Sequence, residues 1–212
     1  MRSNLTKKNF ISKSLINKTL HIKLTKKFKK VFEKYGITFH FVGMQDVTNI
    51  EAAITPNTKL IWVETPTNPM MKVSDLRALS TLAHEHDMTV FCDNTFATPI
   101  FQRPLELGCD VVVHSTTKYI GGHGTTVAGI VVDSGKFDWK ASADKFPMMN
   151  QPDPSYHGVV YTEALGEAAF IGRCRSPSTR VMPNRCRVRF ASWSRRPHGS
   201  PMRWSGRRVG RG

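Results

Sequence analysis

Apolar residues in the middle of the chain occur in short runs that alternate with polar stretches. Runs rich in Val, Ile and Phe predict five β-strands, at 37–42, 59–65, 88–94, 109–115 and 126–134. The segment 73–87 instead repeats its apolar residues at helical spacing and predicts an amphipathic helix with Leu76, Leu79, Leu82 and Ala83 on one face and Ser74 and Asp75 suited to its start. Shorter helical segments are predicted at 46–54 and 99–108.

This alternation of strands and helices predicts an α/β fold, with a mostly parallel sheet flanked by helices on both faces. In such sheets, ligands bind at the carboxyl ends of the strands. Polar clusters follow three of the predicted strands, at 65–68, 93–95 and 114–118. We therefore expect these three clusters to converge on one crevice.

The formal net charge of +15 first suggests a nucleic-acid or anionic-membrane partner. Its distribution argues against both. Residues 1–40 carry eleven Lys and Arg against one acid, and 173–212 carry twelve Arg and no acid. Residues 41–172 carry eight Lys and Arg against fifteen Asp and Glu, so the positive charge is confined to the two ends.

The charge distribution divides the chain into three segments. We expect a disordered basic leader over 1–25, a folded domain over 26–175, and an Arg-rich tail over 176–212 that is disordered or translated out of frame. A tail of this composition can bind nucleic acid through phosphate contacts, without sequence specificity. A noncatalytic basic nucleic-acid-binding protein is therefore the alternative of another class.

The four cysteines form no CxxC pair and no His/Cys cluster at zinc-ligand spacing, so we expect no metal site. Cys92 and Cys109 lie in apolar surroundings, which indicates buried, reduced thiols and a cytoplasmic protein. No apolar run approaches the length that spans a bilayer, so we expect no membrane association.

The stretch "VVVHSTTKYIGGHG" (111–124) places Lys118 just beyond a predicted buried strand. Burial favours the neutral, nucleophilic amine that a Schiff base with an aldehyde requires. Ser115 and Thr117 alternate about the lysine as hydroxyl donors for a phosphate, and Asp93 closes a neighbouring strand, where a carboxylate can keep a ring nitrogen protonated. Together these groups meet the requirements of pyridoxal 5'-phosphate. A solvated loop lysine and a capped turn at 93–95 are the ordinary alternatives.

Four motifs in order, "ETPTNP" (64–69), "DNTFATP" (93–99), "FQRPLELG" (101–108) and "HSTTKYIGGHG" (114–124), strongly resemble the Cys/Met-metabolism (trans-sulfuration) family of pyridoxal-phosphate enzymes. The resemblance runs from about residue 28 to residue 173. It implies a partial type I aminotransferase-like large domain, homotetramers built from dimers, and as small-molecule partners an amino acid with sulfide or a thiol.

By that resemblance Lys118 would hold the cofactor covalently and later shuttle the substrate's protons, and Asp93 would bind the pyridine nitrogen. The other positions with a family role are the phosphate ligands Ser115 and Thr117, Asn68 near the phenolic oxygen, and Thr95 beside the ring. His114 and His123 are interpreted as packing or hydrogen-bonding residues.

The motifs point to two branches of the family. Up to Gly121 the pattern is most like cystathionine synthases and lyases, and from Gly124 onward, "GTTVAGIVVDSGKFDW" is most like O-acetylhomoserine sulfhydrylases. Either a splice between related genes or one sulfhydrylase with an unusual first half accounts for this. We give more weight to the block after Gly124, which favours γ-replacement on O-acetylhomoserine with sulfide. Activity as a cystathionine γ-synthase or lyase is the alternative.

The resemblance also implies that parts of the family's site are missing from this chain. These are a Gly-rich phosphate turn, a tyrosine stacked on the ring, a Tyr/Arg pair from a neighbouring subunit, and an arginine for the substrate carboxylate. We therefore expect a truncated fragment that is weakly active or inactive by itself.

Overall fold

The structure is a computed structural model that describes residues 12–17, 30, 32–181 and 187–192. It contains seven strands: β1 (Ser12–Asn17), β2 (Ile37–Val42), β3 (Thr58–Glu64), β4 (Thr89–Asp93), β5 (Val111–Ser115), β6 (Ala128–Asp133) and β7 (Arg187–Ser192). They form one sheet in the order β2-β1-β3-β4-β5-β6-β7. All neighbouring strands are parallel except β5 and β6, which are antiparallel.

Six α-helices accompany the sheet: α1 (Val47–Glu51), α2 (Leu76–Glu85), α3 (Thr98–Phe101), α4 (Pro147–Asn150), α5 (Tyr161–Leu165) and α6 (Ala169–Val181). Short 3-10 turns lie at Glu33–Tyr35, Pro104–Leu107 and Gly166–Ala168. Asp75 caps α2, because its carboxylate accepts the main-chain N–H groups of Arg77 and Ala78 at 3.0 and 3.1 Å. This side-chain acceptor satisfies donors that the first turn leaves open.

The predicted α/β fold with a mostly parallel sheet is confirmed. Each of the five predicted strands lies within two residues of an observed one, and helix α2 occupies the predicted segment 73–87. Both faces of the sheet are covered. On one face, residues of β3–β5 such as Val63 and Cys92 pack with Leu79 and Ala83 of α2. On the other, the ring of Phe91 meets that of Phe170 in α6 at 5.5 Å.

Two strands lie within segments that the sequence analysis expected to be disordered. Strand β1 falls inside 1–25 and pairs with both β2 and β3, and its Leu15 and Ile16 are buried. The Arg-rich segment contains the last residues of helix α6, which ends at Val181, and the whole of strand β7, which pairs with β6. Over so short a strand, pairing and burial of two apolar side chains outweigh the basic composition of the surrounding residues.

The remaining residues of the expected leader and tail lie outside the part of the chain that the structure describes. The division into three segments therefore stays a prediction. Across the described ranges, no helix is both long enough and apolar enough to cross a membrane.

Candidate active site

The carboxyl ends of β3, β4 and β5 meet at one edge of the sheet. The parallel register pairs Glu64 with Asp93 and Asp93 with Val113. Just beyond the strands, the main-chain N–H of Asn94 donates to the carbonyl of Val113 at 3.0 Å. The expected convergence of the polar clusters after these strands therefore occurs.

Three of the predicted site residues are joined by hydrogen bonds at this edge. The Thr95 hydroxyl donates to Oδ1 of Asp93 at 2.6 Å, and the Thr95 main-chain N–H donates to the same oxygen at 3.1 Å. The Thr95 hydroxyl also accepts the main-chain N–H of Ser115 at 2.8 Å. Thr95 thus links the end of β4 to the end of β5 and fixes the Asp93 carboxylate with one oxygen occupied.

Lys118 lies in the turn that follows β5. Its main-chain N–H donates to the carbonyl of Ser115 at 3.1 Å, and its carbonyl accepts the N–H of Gly122 at 2.8 Å. The side chain is exposed, so the expectation of a buried lysine was wrong. The residue lies past the last paired position of the strand, where the apolar packing of β5 has ended. Gly122 has a φ of 74°, which favours glycine in this turn.

The hydroxyl of Thr117 is engaged with the main chain of Ala128. It accepts the Ala128 N–H at 3.0 Å and donates to the Ala128 carbonyl at 3.3 Å. Its single proton is therefore committed within the protein, and it holds the loop between β5 and β6 closed at its base. A phosphate role for Thr117 would require this hydroxyl to turn away from Ala128.

Asn68 lies in the loop after β3 and is half-buried. Its main-chain N–H donates to the carboxylate of Glu64, so the loop folds back on the end of its own strand. The peptide bonds Thr65–Pro66 and Asn68–Pro69 are both cis. Asn68 is thus brought to the same edge as Asp93, which faces Glu64 across the β3–β4 pair.

Gln102 is a positioning residue that the sequence analysis missed. Its side-chain amide donates to the carbonyl of Thr65 at 3.0 Å and to Oδ1 of Asn94 at 2.9 Å. The Asn94 amide returns a hydrogen bond to the Gln102 carbonyl at 2.9 Å, and Asn94 is fully buried. These contacts tie the loop after β3 to the loop after β4.

Glu64 also lies at this edge and was not singled out from the sequence, although it opens the motif "ETPTNP". Burial, and then the negative charge of Asp93, raise the pKa of the Glu64 carboxyl to about 7, against the opposing hydrogen bond from the Asn68 N–H. The sequence did contain a signal for it. Glu64 and Asp93 lie at the ends of two strands that were predicted to be neighbours, so each carboxyl group is expected to influence the pKa of the other.

The two histidines of the motif make local contacts. His114 is buried and hydrogen-bonded to the main chain of Asn94, and burial lowers its pKa although the nearby Asp93 charge opposes that shift. His123 is exposed, and its Nδ1 lies 2.8 Å from the carbonyl oxygen of Gly121. Both arrangements agree with the interpretation of these residues as packing or hydrogen-bonding groups.

The donor set at this edge fits pyridoxal phosphate. It offers a primary amine on Lys118, the Asp93 carboxylate with one oxygen fixed by Thr95, and a hydroxyl on Ser115. Within the described ranges no group of three or more His, Cys, Asp and Glu side chains could hold a metal ion. Cys92 and Cys109 are buried free thiols, as predicted.

Comparison with known proteins places this arrangement in a family. The sequence model described as Cys/Met metabolism PLP-dependent enzyme matches residues 12–178. The homocysteine synthase of Schizosaccharomyces pombe is 44% identical over 154 residues, which are 72% of this chain and 36% of that protein. The cystathionine gamma-synthase/O-acetylhomoserine (thiol)-lyase of Bacillus subtilis is 50% identical over 105 residues, 50% of this chain and 28% of that protein.

A solved structure agrees with the sequence comparisons. The cystathionine gamma-lyase of Lactobacillus plantarum, complexed with L-serine, superposes with a TM-score of 0.55 at 39% identity, covering 56% of this chain and 31% of that one. The chain spans about a third of the length of these relatives. It belongs to the Cys/Met-metabolism family of pyridoxal-phosphate-dependent enzymes.

Proposed function

We propose that the chain carries the cofactor-binding region of an enzyme that replaces the γ-substituent of O-acetylhomoserine with sulfide. The observation that carries the proposal is the hydrogen-bonded group of Asp93, Thr95 and Ser115, at the sheet edge from which the Lys118 turn begins. Relatives named homocysteine synthase and sulfhydrylase support this choice of reaction.

In this proposal each residue has one task. The Lys118 amine would hold the cofactor through its aldehyde group and would later move a proton at the substrate's Cα. Asp93 would hold the ring nitrogen in its protonated form. Ser115 would bind the phosphate, joined by Thr117 once its hydroxyl turned away from Ala128. Asn68 would serve the phenolic oxygen, and Thr95 would hold Asp93 in place. The cofactor, when bound, supplies an electron sink for the amino acid.

Exposure of Lys118 is compatible with this role, because an exposed amine is accessible to an incoming aldehyde. The hydrogen bonds of its main chain to Ser115 and Gly122 fix where its side chain begins. The amine can react with the aldehyde carbon only if the cofactor is also held in place. A contact between the Asp93 carboxylate and the ring nitrogen would supply this second fixed point.

The first test is absorbance of the purified 212-residue chain after addition of pyridoxal phosphate. We expect a near-visible band from lysine-bound cofactor, which Lys118→Ala abolishes and which Lys140→Ala, at another exposed lysine, leaves unchanged. An equal band in wild type and Lys118→Ala would contradict the assignment.

The second test concerns the reaction. Homocysteine should form from O-acetylhomoserine and sulfide in the presence of added cofactor, slowly for this chain alone. Turnover by the chain alone within the common enzyme range of roughly 1–1,000 per second would contradict the expectation of weak activity. Cystathionine γ-synthase or lyase activity is the second candidate, favoured by the 50% identity over 105 residues to the Bacillus subtilis protein, whose name includes cystathionine gamma-synthase. Cysteine in place of sulfide as the productive second substrate would select that candidate.

A cytoplasmic location and assembly as a homotetramer built from dimers belong to the same proposal. Size measurement of the chain with and without pyridoxal phosphate tests the assembly directly. A monomer in both conditions would contradict it.

A further inference from the structure

Glu64 and Asp93 end two neighbouring parallel strands and are partners in register. Adjacent strands in a sheet lie about 4.8 Å apart, and residues paired in this way point to the same face. Two carboxyl groups therefore leave the sheet side by side at its carboxyl edge, and both are half-buried.

The surroundings treat the two carboxyl groups differently. Asp93 accepts two hydrogen bonds on Oδ1 from Thr95, at 2.6 and 3.1 Å. Glu64 accepts the main-chain N–H of Asn68, but burial and the Asp93 charge outweigh this contact and raise its pKa to about 7. The proton is therefore held more firmly by Glu64 than an exposed glutamate would hold it.

Two titratable groups within electrostatic reach of the pair, His114 and Cys92, are uncharged near neutral pH. The Asp93 charge reaches His114 on β5, but burial lowers the pKa of His114, so its ring is neutral near pH 7. Cys92 on β4 is within electrostatic reach of both carboxyl groups, and its pKa is raised well above its ordinary value, so it stays a thiol. Neither group therefore compensates the charge of the two carboxyl groups.

We propose that Glu64 makes cofactor binding proton-linked: in the free protein, Glu64 and Asp93 share one proton, held on Glu64, which Glu64 releases when a cationic ring nitrogen binds at Asp93. Glu64 would influence cofactor binding indirectly, through Asp93, and is in that sense a positioning residue. In the step the O–H bond of the Glu64 carboxyl breaks, its electron pair stays on the carboxylate, and the proton passes to solvent. The identity of the ligand rests on the proposed function, whereas the shared proton does not.

The first measurement needs no cofactor. The carbon-13 carboxyl signal of Glu64 is titrated in the full chain, wild type and Asp93→Asn. We expect a midpoint of about 7 in wild type and a fall toward the ordinary 4.5 in Asp93→Asn, because the like charge has been removed. A wild-type midpoint near 4.5, or one that Asp93→Asn leaves unmoved, would overturn the proposal.

The second measurement is pyridoxal phosphate affinity at pH 6 and pH 8 in wild type and Glu64→Gln, with Glu51→Gln, an exposed glutamate on α1, as the control. Because release of the proton is easier at high pH, the affinity of wild type relative to Glu64→Gln should rise by about threefold or more. Glu51→Gln should follow wild type. A ratio that is the same at both pH values would overturn the proposal, since Lys118 is common to both proteins and cancels.

The two measurements separate this proposal from the proposed function. If the wild-type chain does not bind pyridoxal phosphate at all, the proposed function and the ligand named here both fall, and the carboxyl titration alone decides whether the pair shares a proton. If Asp93→Asn does not fold, the wild-type midpoint and the affinity ratio of Glu64→Gln still decide the question.

Discussion

The hydroxyl of Thr95 donates a 2.6 Å hydrogen bond to the carboxylate of Asp93. The same hydroxyl accepts the Ser115 N–H, so it is the only side-chain atom in the described structure with hydrogen bonds to both residues. Thr95→Val removes both contacts and leaves the Ser115 N–H without this acceptor. We expect unfolding by urea to show a loss of about 1–3 kcal/mol, because a half-buried donor loses its partner.

Thr95→Ser is the matched control for that change, because it keeps the hydroxyl and removes only a methyl group. It should stay within about 1 kcal/mol of wild type. The affinity for pyridoxal phosphate should also fall in Thr95→Val and be retained in Thr95→Ser. Equal stability of Thr95→Val and wild type would show that the hydroxyl does not order the site.

Gly121 provides a second prediction, in the turn after Lys118. A Cβ at this position would overlap the main-chain oxygen of Thr116, whereas a Cβ at Gly43 has no atom within 4 Å. Gly121→Ala should therefore displace the turn, lower the stability by about 1–3 kcal/mol and weaken lysine-bound absorbance, and Gly43→Ala should change stability by less than about 0.5 kcal/mol. Thermal unfolding of both variants measures the difference, and similar behaviour of the two would refute it.

The third prediction concerns His84, whose Nε2 lies 3.1 Å from both oxygens of the buried Asp110. The hydrogen bond to Asp110 raises the pKa of His84. Burial of His84 opposes this rise, and the negative charge of Asp110 adds to it. The folded state therefore binds the proton more tightly than the unfolded state. The resulting stability is fully present below the ordinary value of 6.5 and is lost as pH rises through the raised pKa of the folded protein.

His84→Gln should flatten this part of the stability–pH curve. Because His84 is partly exposed, we expect the difference between wild type and variant to change by only about 1 kcal/mol between pH 6 and pH 8.5. His86→Gln, two residues away, is the control and should keep the wild-type slope. Urea unfolding across this pH range would contradict the prediction if His84→Gln kept the slope as well.

The fourth prediction concerns Asp133, whose raised pKa also makes stability fall as pH rises, here through a penalty on the charged form rather than through loss of a favourable contact. It is fully buried at the end of β6, and burial raises its pKa to about 6, with a further contribution from the Asp110 charge and an opposing one from the Gly135 N–H. Ionisation is thus penalised in the folded state. The penalty is absent below the ordinary value of 3.8, grows as pH rises, and is complete above about 6.

Asp133→Asn removes that penalty and can still accept the Gly135 N–H. It should be more stable than wild type by about 1–2 kcal/mol at pH 7.5, and the gain should disappear near pH 3.5. Asp144→Asn, at an exposed aspartate, should show no such pH dependence. A gain of the same size at both pH values would mean that the charge of Asp133 is not its cause.

The strands of the sheet were predictable because their β-branched runs are local signals. The direction of β6 was not predictable in the same way. The apolar run in Ala128–Asp133 indicates a strand but not its direction, which depends on the path of the chain between β5 and β6. Strand β1 was missed for another reason. The high positive charge of the first 40 residues led to a prediction of disorder. Leu15 and Ile16 are nevertheless buried, because β1 lies between β2 and β3 in the sheet.

The sequence identified several residues of the candidate site, but it did not predict most of the contacts that these residues make. Motif spacing brought out Asp93, Thr95 and Ser115, which the structure joins by hydrogen bonds. The exposure of Lys118 depends on which segments lie over the turn, and no local pattern reports that. Gln102 reaches the carbonyl of Thr65, 37 residues earlier in the chain, so its role required the fold.

The antiparallel pairing of β5 and β6 has a mechanical consequence for the lysine. The connecting loop leaves and re-enters the sheet at the same edge, and the Thr117 hydroxyl binds both main-chain groups of Ala128 across its root. Lys118 lies next to this root, and Gly121 and Gly122 still belong to its turn, whereas residues 123–127 form an exposed tip. The tip can differ in length or sequence without touching the two main-chain hydrogen bonds that hold Lys118. The motif pattern changes from one branch of the family to the other within this stretch, so the branches can differ there while the turn at Lys118 stays the same.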